Sequence, residues 1–418
     1  MKKILLLCIH TFLFATVPDQ ALLDYQKKYS LCHGKDAYKI VSCLLNGHLN
    51  YASFRGDRNI YRKISSSKIK KAVSQGNAYT FTLDHLPQTQ RYTKLKEFAD
   101  YLYSIRDVYV IPEFKGDEGE DILRSKYIFN LLQDANLELT PERTSAFEEA
   151  LLTYQERHGL TVDGDIGRRT KDMLKQSIKS MVLKVKKNLT LERISLPKPK
   201  RYVLVNIPEL KMHYYEAGTE VLQMKVVVGK TKMRTPIFSR KIKFIVQNPT
   251  WNVPPSIYKK EYAHKSVKQL RKLGLRYNAS GKLYQPSGGR NALGKVKFLF
   301  PNKFNVYMHD TPAKSRFKRT RRAFSHGCIR LEKPLEFLNK LGFSYRSGKT
   351  TWTKLEEQVP VFVEYHTVWV DDEGIIQFRA DIYGYEKKLF TTPVIRRSRS
   401  KIHSPTQKPA ASNWVNSF

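Results

Sequence analysis

A cysteine and a histidine in the C-terminal half of the chain have the side chains that thiol catalysis requires. Cys328 lies in the segment Ser-His-Gly-Cys-Ile-Arg, and His309 lies nineteen residues before it, at the end of a predicted strand over 305–309. A catalytic thiol needs a base that removes its proton and N–H groups that stabilise the oxyanion. A neighbouring imidazole, N–H dipoles and cations lower a thiol pKa from about 8.5 by one unit or more. The two residues therefore predict a nucleophile and its base, working either as an ion pair or by concerted proton transfer.

The residues beside Cys328 indicate how such a site would be completed. Gly327 permits backbone dihedrals that other residues rarely adopt, so a turn there can direct the N–H groups of Gly327 and Cys328 at an oxyanion. His326 lies two residues before the thiol, which on a strand places both side chains on one face; its imidazole either supports catalysis or forms a structural hydrogen bond. Nearby cations would favour the thiolate and suit a substrate with carboxylates; they are Arg316, Arg319, Arg321, Arg322 and Arg330.

Three other uses of these residues compete with thiol catalysis. Zinc binding would need further ligands, but the chain has no Cys-x-x-Cys motif and no clear pair of additional ligands near His309. Ser325 is disfavoured as a serine nucleophile because its surroundings are not Gly-x-Ser-x-Gly. The simplest alternative is that Cys328 is a buried, unreactive cysteine, but the residues around it favour a reactive thiol.

The elements that must position these residues are predicted strands. Alternating and β-branched residues predict strands over 202–206, 212–215, 224–228, 243–246, 296–300 and 305–309, followed by a hairpin over 360–369 and 375–382. The Lys-rich, partly helical stretch 254–292 breaks this pattern and predicts an insertion into a β-rich domain.

The chain before residue 200 has helical spacing instead. Helices are predicted over 92–105, 122–133, 142–158 and 167–178, with Thr140 as the N-cap of the third and Gly116-Asp117-Glu118-Gly119 as a linker. An Asp163-Gly164 turn joins the last two helices. Together these features predict a multidomain α+β protein, in which a helical N-terminal part over 21–115 and a second helical part over 120–180 precede the β-rich domain.

Charge and the N-terminal residues indicate an exported protein with anionic partners. The 418 residues carry a formal charge of +36, spread along the chain, which fits a basic proteome or acidic envelope polymers better than a dedicated nucleic-acid module.

Lys2 and Lys3 precede the uncharged stretch 4–17, so residues 1–20 predict a cleaved signal peptide or an N-terminal membrane anchor. In an oxidising compartment Cys32 and Cys43 could pair, leaving Cys328 as the odd thiol. Residues 391–418 are basic and low in apolar residues, which predicts a disordered tail.

The motif residues resemble the L,D-transpeptidase (YkuD-type) catalytic domain, whose signature is a histidine, a spacer and then Ser/Thr-His-Gly-Cys. The resemblance covers residues 200–390, with 254–292 resembling the inserted lid of the large periplasmic members, and Arg330 stands where the signature often has asparagine. It extends to stretches beginning at Tyr202, Val227, Thr235, Asn248, Trp251, Asn291 and His309. Residues 120–180, with Tyr154-Gln155-Glu156-Arg157-His158-Gly159-Leu160 and the Asp-Gly turn, resemble a helical peptidoglycan-binding module.

The resemblance implies a reaction and a role for each site residue. Cys328 would attack the third residue of a peptidoglycan tetrapeptide stem and release D-alanine, and the side-chain amine of a second stem would resolve the thioester into a 3–3 cross-link. His309 would be base and acid, with the backbone carbonyl of Asp310 orienting it. Gly327 would contribute to the oxyanion hole and His326 would support the site. The substrate would contact Arg330, Ser325, Trp251 and Tyr258, and the resemblance implies no cofactor or metal.

Two other functions are compatible with the same sequence. Water could replace the acceptor amine, which would make the protein an L,D-carboxypeptidase or a hydrolase of the wall. A scaffold that binds peptidoglycan without catalysis is the alternative from another class, and the intact His309 and Cys328 argue against it.

Overall fold

The computed structural model describes residues 18–108, 113–114, 116 and 118–390, and the predicted signal segment and basic tail lie almost wholly outside them. Within the described residues, helices α1–α9 precede the first strand. Their N-caps include the side chains of Asp36, Thr89, Thr144 and Ser177, which accept backbone N–H groups. The helices are α1 (Gln20–Tyr29), α2 (Ala37–Asn46), α3 (Ser66–Ser74), α4 (Ala78–Asp84), α5 (Gln90–Ser104), α6 (Glu118–Leu131), α7 (Ser145–Arg157), α8 (Arg168–Leu174) and α9 (Ile178–Ile194).

Several predicted helix boundaries change in the structure. The cap of α7 is Thr144 rather than Thr140, whose hydroxyl accepts a hydrogen bond from Lys126 instead. Helix α6 already contains Glu118 and Gly119, so the predicted linker is shorter than expected. The helix α9 was not predicted beyond residue 178, although it is the longest of the nine. One hydrophobic core runs through α1, α2, α5, α7 and α9.

A β-rich domain follows, and its sheet closes on itself. Within the described residues the strand order is β10-β3-β11-β9-β8-β4-β12-β1-β2, and β2 also pairs with β3. The strands of this sheet are β1 (Tyr202–Asn206), β2 (Lys211–Glu216), β3 (Thr219–Gly229), β4 (Phe238–Gln247), β8 (Val296–Leu299), β9 (Met308–His309), β10 (Ala323–Ser325), β11 (Ile329–Leu331) and β12 (Thr351–Glu364).

The inner face of this sheet holds the main core of the β-rich domain. Helix α12 (Pro334–Lys340) packs on it through Phe337, whose ring contacts those of Tyr214 and Phe298. A separate hairpin, β13 (Val368–Val370) and β14 (Ile376–Phe378), joins the core of the helical region, and α13 (Tyr385–Leu389) follows. The predicted hairpin over 360–382 was therefore wrong in extent, because residues up to Glu364 belong to β12.

The insertion at 254–292 is less helical than predicted. It contains the short helices α10 (Pro255–Ile257) and α11 (Val267–Lys272), a π-helical turn over Tyr258–Tyr262, and the strands β6 (Arg276–Tyr277) and β7 (Leu283–Gln285). These two strands form a small sheet with β5 (Trp251–Asn252), which lies just before the insertion. Leu270, Leu275 and Leu283 are buried at its centre, so the insertion has a small hydrophobic core of its own.

Candidate active site

The loop that carries Cys328 is held by hydrogen bonds from its own residues. Gly327 has a φ of +118°, in the left-handed region that only glycine adopts readily. The Ser325 hydroxyl accepts the N–H of Gly327 at 3.0 Å and donates to the carbonyl of Cys328 at 2.6 Å. Thr235 donates its hydroxyl to the Gly327 carbonyl at 2.9 Å. The turn is therefore tied on both sides of Gly327, with Cys328 half-buried at its end.

Strand register gathers the other site residues on one face of the sheet. His309 pairs with Lys297 on β8 and with Arg330 on β11, and residues in register share a face. Their strand neighbours Phe298, Met308 and Ile329 are fully buried on the opposite, core face.

Cys328 and Tyr307 belong to the same face as His309. The N–H of Ile329 donates to the carbonyl of Tyr307 at 3.0 Å, which aligns Cys328 with Tyr307 one step before the Arg330–His309 pair. The Lys297 ammonium lies 4.1 Å from the centre of the Tyr307 ring, and the rings of Tyr307 and His309 are 5.6 Å apart. Nucleophile, imidazole and two cations thus project from adjacent strands into one region.

The thiol of Cys328 is not activated in the way its neighbours predict. Burial raises its pKa above the ordinary value, although the Tyr307 backbone N–H, the Lys297 ammonium, the Tyr307 hydroxyl and the Arg330 guanidinium all act to lower it. The predicted lowering was therefore wrong, because desolvation of the thiolate outweighs these favourable contacts. Of the five arginines named from the sequence, only Arg330 is among the groups that most affect this pKa.

His309 is held as a neutral imidazole. Burial above all, together with the charges of the Arg330 guanidinium and the Lys297 ammonium, lowers its pKa to about 3 against the opposing effect of the Asp310 carbonyl. Nδ1 contacts that backbone carbonyl of Asp310, an arrangement in which Nδ1 carries the proton and Nε2 is free to accept one. The Asp310 carboxylate is fixed separately by the N–H of Lys295 at 2.8 Å and by the ammonium of Lys314 at 2.8 Å.

Arg330 has an unused donor at the site. Its Nε is buried and has no hydrogen-bond partner in the part of the chain that the structure describes. Burial lowers the pKa of this guanidinium and the charge of Arg316 lowers it further. A buried, unpaired N–H is costly, so it favours an acceptor such as a carboxylate in a bound ligand.

The remaining predicted site residues lie apart from this face. His326 is not on a strand, so it does not share a strand face with Cys328; of its two expected roles the structure shows the hydrogen bond, in which Nε2 lies 2.5 Å from Oε1 of Glu261 in the insertion. Trp251 and Tyr258 pack around the core of the insertion. The N–H of Gly327 is used by Ser325, whereas the N–H of Cys328 has no acceptor among the described residues and is free for an oxyanion.

Residues 200–363 match the family model of the L,D-transpeptidase catalytic domain, YkuD. They form an L,D-transpeptidase catalytic domain. A protein of Haemophilus influenzae named "Putative L,D-transpeptidase" is 31% identical over 221 residues, and the match spans 45% of each protein. The chain thus covers less than half the length of this curated relative.

Solved L,D-transpeptidases also resemble the chain. An L,D-transpeptidase from Mycobacterium smegmatis is 14% identical with a TM-score of 0.24, covering 40% of this chain and 58% of its own. The catalytic domain of an Enterococcus faecium L,D-transpeptidase is 18% identical with a TM-score of 0.24, covering 40% of this chain and all of its own.

Sequence reasoning missed several residues that shape the transpeptidase domain around Cys328. Lys297 and Tyr307 are placed by strand register, and the only local signal for Lys297 is a charged residue inside an apolar strand. Tyr383 donates its hydroxyl to the carbonyl of Gly229 and accepts the N–H of Thr235, so it supports the loop from beneath. Arg55 of the helical region donates to the carbonyl of Arg234 at 2.7 Å, close to Gly327.

Proposed function

We propose that this protein is a cysteine acyltransferase that joins peptidoglycan stem peptides through 3–3 cross-links. The observation that carries the proposal is the shared sheet face of Cys328, neutral His309 and the unpaired Arg330 Nε, inside an L,D-transpeptidase catalytic domain. A nucleophile, a base able to accept a proton and a donor for a substrate carboxylate are what acyl transfer between peptides requires.

The first half-reaction forms an acyl-enzyme. Cys328 attacks the carbonyl carbon of the third stem residue while its proton passes to Nε2 of His309, since both groups begin neutral. The N–H of Cys328 donates to the oxyanion. The C–N bond to D-alanine then breaks, the proton on His309 goes to the leaving amine, and a thioester remains on Cys328.

The second half-reaction consumes the thioester. The side-chain amine of a second stem attacks the thioester carbonyl, His309 takes a proton from that amine, and the C–S bond breaks. The thiolate of Cys328 recovers its proton from His309, so the enzyme ends as it began. A neutral thiol is a weaker nucleophile than a thiolate. Transfer of the Cys328 proton to His309 during the attack offsets this lower reactivity.

Among the residues expected to contact the substrate, Arg330 is the one to which we assign binding. Arg330 binds a carboxylate of the donor stem beside the scissile bond. Ser325 acts as a positioning residue for the loop and not as a substrate contact, because its hydroxyl is used twice within the loop. Trp251 and Tyr258 belong to the packing of the insertion, which we propose acts as a lid through the contact of Glu261 with His326.

The rest of the chain is proposed to serve the same reaction in the cell envelope. Residues 1–20 direct export or anchor the protein, and residues 120–180 bind peptidoglycan. The disulfide between Cys32 and Cys43 supports an oxidising compartment. No helix in the described residues is long and apolar enough to cross a membrane.

Incubation with purified disaccharide-tetrapeptide tests the proposed function and separates it from hydrolysis. Cross-linked dimers with release of D-alanine are expected, and they should be absent with Cys328→Ala. Conversion to tripeptide without dimers would instead identify an L,D-carboxypeptidase. A reaction that survives in Cys328→Ala would refute the role of this thiol, and no reaction with wild-type protein would leave only the scaffold function.

A further inference from the structure

The insertion carries a large positive charge that its own residues do not neutralise. Residues 254–292 contain six lysines and three arginines but a single acidic residue, Glu261. Glu261 already pairs with His326 of the catalytic loop. No carboxylate among the described residues forms an ion pair with the arginines of the insertion, which are Arg271, Arg276 and Arg290.

These three arginines line one cavity. Its volume is about 780 Å³, within the range of about 300–1,000 Å³ that ligand pockets usually have. Tyr277, which is 42% exposed, contributes an aromatic wall. The loop 286–290 forms the opposite wall. A concave site that combines three guanidinium groups with an aromatic ring suits an anionic organic ligand better than a simple ion.

The cavity is built by internal hydrogen bonds and not by chance surface shape. The Gln285 amide donates to the carbonyls of Leu273 at 2.9 Å and Arg290 at 3.0 Å, and it accepts the N–H of Ala292 at 2.7 Å. The Asn291 amide donates to the carbonyls of Gln285 and Pro286. These bonds fix the rim, so little ordering would accompany ligand binding.

The loop wall also presents unused backbone donors. The N–H groups of residues 287–290 have no acceptor within the described parts of the chain. Gly288 has a φ of +132°, and a Cβ atom added there or at Gly289 would meet no atom within 4 Å, so the loop faces open space. Successive free N–H groups beside arginines form a concavity that binds anions.

The insertion contacts the catalytic loop near its start, and the chain just after its end packs on the residue next to His309. Glu261, near its start, lies against His326. At its far end, Asn291 leads to Gly294, which packs so closely on Asp310 that a Cβ atom would lie 2.3 Å from its carboxylate oxygen. Asp310 in turn contacts His309 through its carbonyl. A ligand in the cavity is therefore held by the segment that borders the reacting residues.

We propose that this cavity binds the carboxylates of the acceptor stem peptide, while the face with Arg330 binds the donor. The proposal rests on the proposed function, because only a transferase needs two stems held at once. Bidentate pairing with carboxylates would engage these three arginines, which are exposed and form no ion pair with the described residues. A peptide is favoured over a phosphate polymer because the site is a concavity with an aromatic wall rather than an extended basic track.

The test separates acceptor binding from acylation. A fixed amount of tetrapeptide donor is combined with increasing tripeptide, which lacks the fourth residue and can act only as acceptor. The triple variant R271A/R276A/R290A should acylate Cys328 at the wild-type rate but need at least about tenfold more tripeptide for half-maximal dimer formation. The control K259A/K272A/K282A removes the same charge from residues that do not line the cavity, and it should stay within about twofold of wild type.

The possible outcomes distinguish the two proposals. If the arginine and lysine variants need the same tripeptide concentration for half-maximal dimer formation, the assignment of the cavity is overturned. The proposed transpeptidase reaction would be unaffected by that result. Wild-type protein that is never acylated would instead overturn the proposed function. If our assignment is right, inorganic phosphate should not inhibit at concentrations where acetate has no effect. If phosphate does inhibit the wild-type protein under those conditions and fails to inhibit the arginine variant, the cavity binds phosphate ligands and our assignment to the acceptor peptide is refuted. Arg276→Gln alone, at an exposed position, should raise the acceptor requirement about threefold or more and serves if the triple variant does not fold.

Discussion

Replacing Ser325 by alanine should damage both the stability of the protein and the geometry of its nucleophile. The Ser325 side chain is 1% exposed, and its hydroxyl satisfies the N–H of Gly327 and the carbonyl of Cys328 together. Leaving a buried polar group without a partner costs about 1–3 kcal/mol. With two groups affected and partial access of water to the half-buried Cys328, we expect a loss of about 2–4 kcal/mol in the free energy of unfolding.

The same substitution should slow acylation, because the loop no longer holds Cys328 in one position. If the substitution raises the activation free energy of acylation by about 1.4–2.8 kcal/mol, the acylation rate falls about 10- to 100-fold. Urea unfolding gives the first quantity, and intact-protein mass spectrometry of the acyl-enzyme over time gives the second. Ser325→Thr keeps the hydroxyl and should recover most of both, while Ser287→Ala, at an exposed position, should change neither. Wild-type stability and acylation in Ser325→Ala would refute this account of the loop.

Three further predictions concern titration and the disulfide. Because the pKa of Cys328 is raised, its alkylation by iodoacetamide should accelerate steadily from pH 6 to about 10; a plateau that begins below pH 7 would instead show a resting ion pair. The carboxylates of Glu209 and Glu220 raise the pKa of His213 to about 9, against the burial that lowers it, so the folded protein holds the extra proton between about pH 6.5 and 9. The free energy of unfolding should fall as pH rises through that window, and a His213→Gln variant with the same slope would contradict this. Removing the disulfide in a C32S/C43S variant should cost about 2–4 kcal/mol in urea unfolding while leaving acylation unchanged, and an unchanged midpoint would count against it.

Much of the β-rich domain could be predicted because its strands follow simple alternation. Strand β1 has the predicted bounds, and a turn at Ala217–Gly218 joins β2 and β3. Strand β12 was missed in its first half, because Thr351–Lys354 and the following glutamates face solvent and lack an apolar pattern. The small strands of the insertion are too short to have a pattern, and only packing on Leu270 and Leu283 defines them.

In the candidate site, too, residues within a local motif could be predicted from the sequence, whereas residues brought in by the tertiary structure could not. Cys328, Gly327 and His309 lie in a motif that local sequence reveals, whereas Lys297 and Glu261 reach the site only through strand register and the fold of the insertion. The thiol pKa was mispredicted for a related reason. Charged neighbours can be counted along a sequence, but desolvation depends on the tertiary structure, and at Cys328 desolvation is the larger effect.

The location of the acyl group after reaction with disaccharide-tetrapeptide tests the central claim most directly. Peptide mapping by mass spectrometry of the trapped intermediate should find the donor, less D-alanine, as a thioester on the peptide that contains Cys328, and nothing on Cys328→Ala. An acyl group on another residue, or its persistence in Cys328→Ala, would contradict the account.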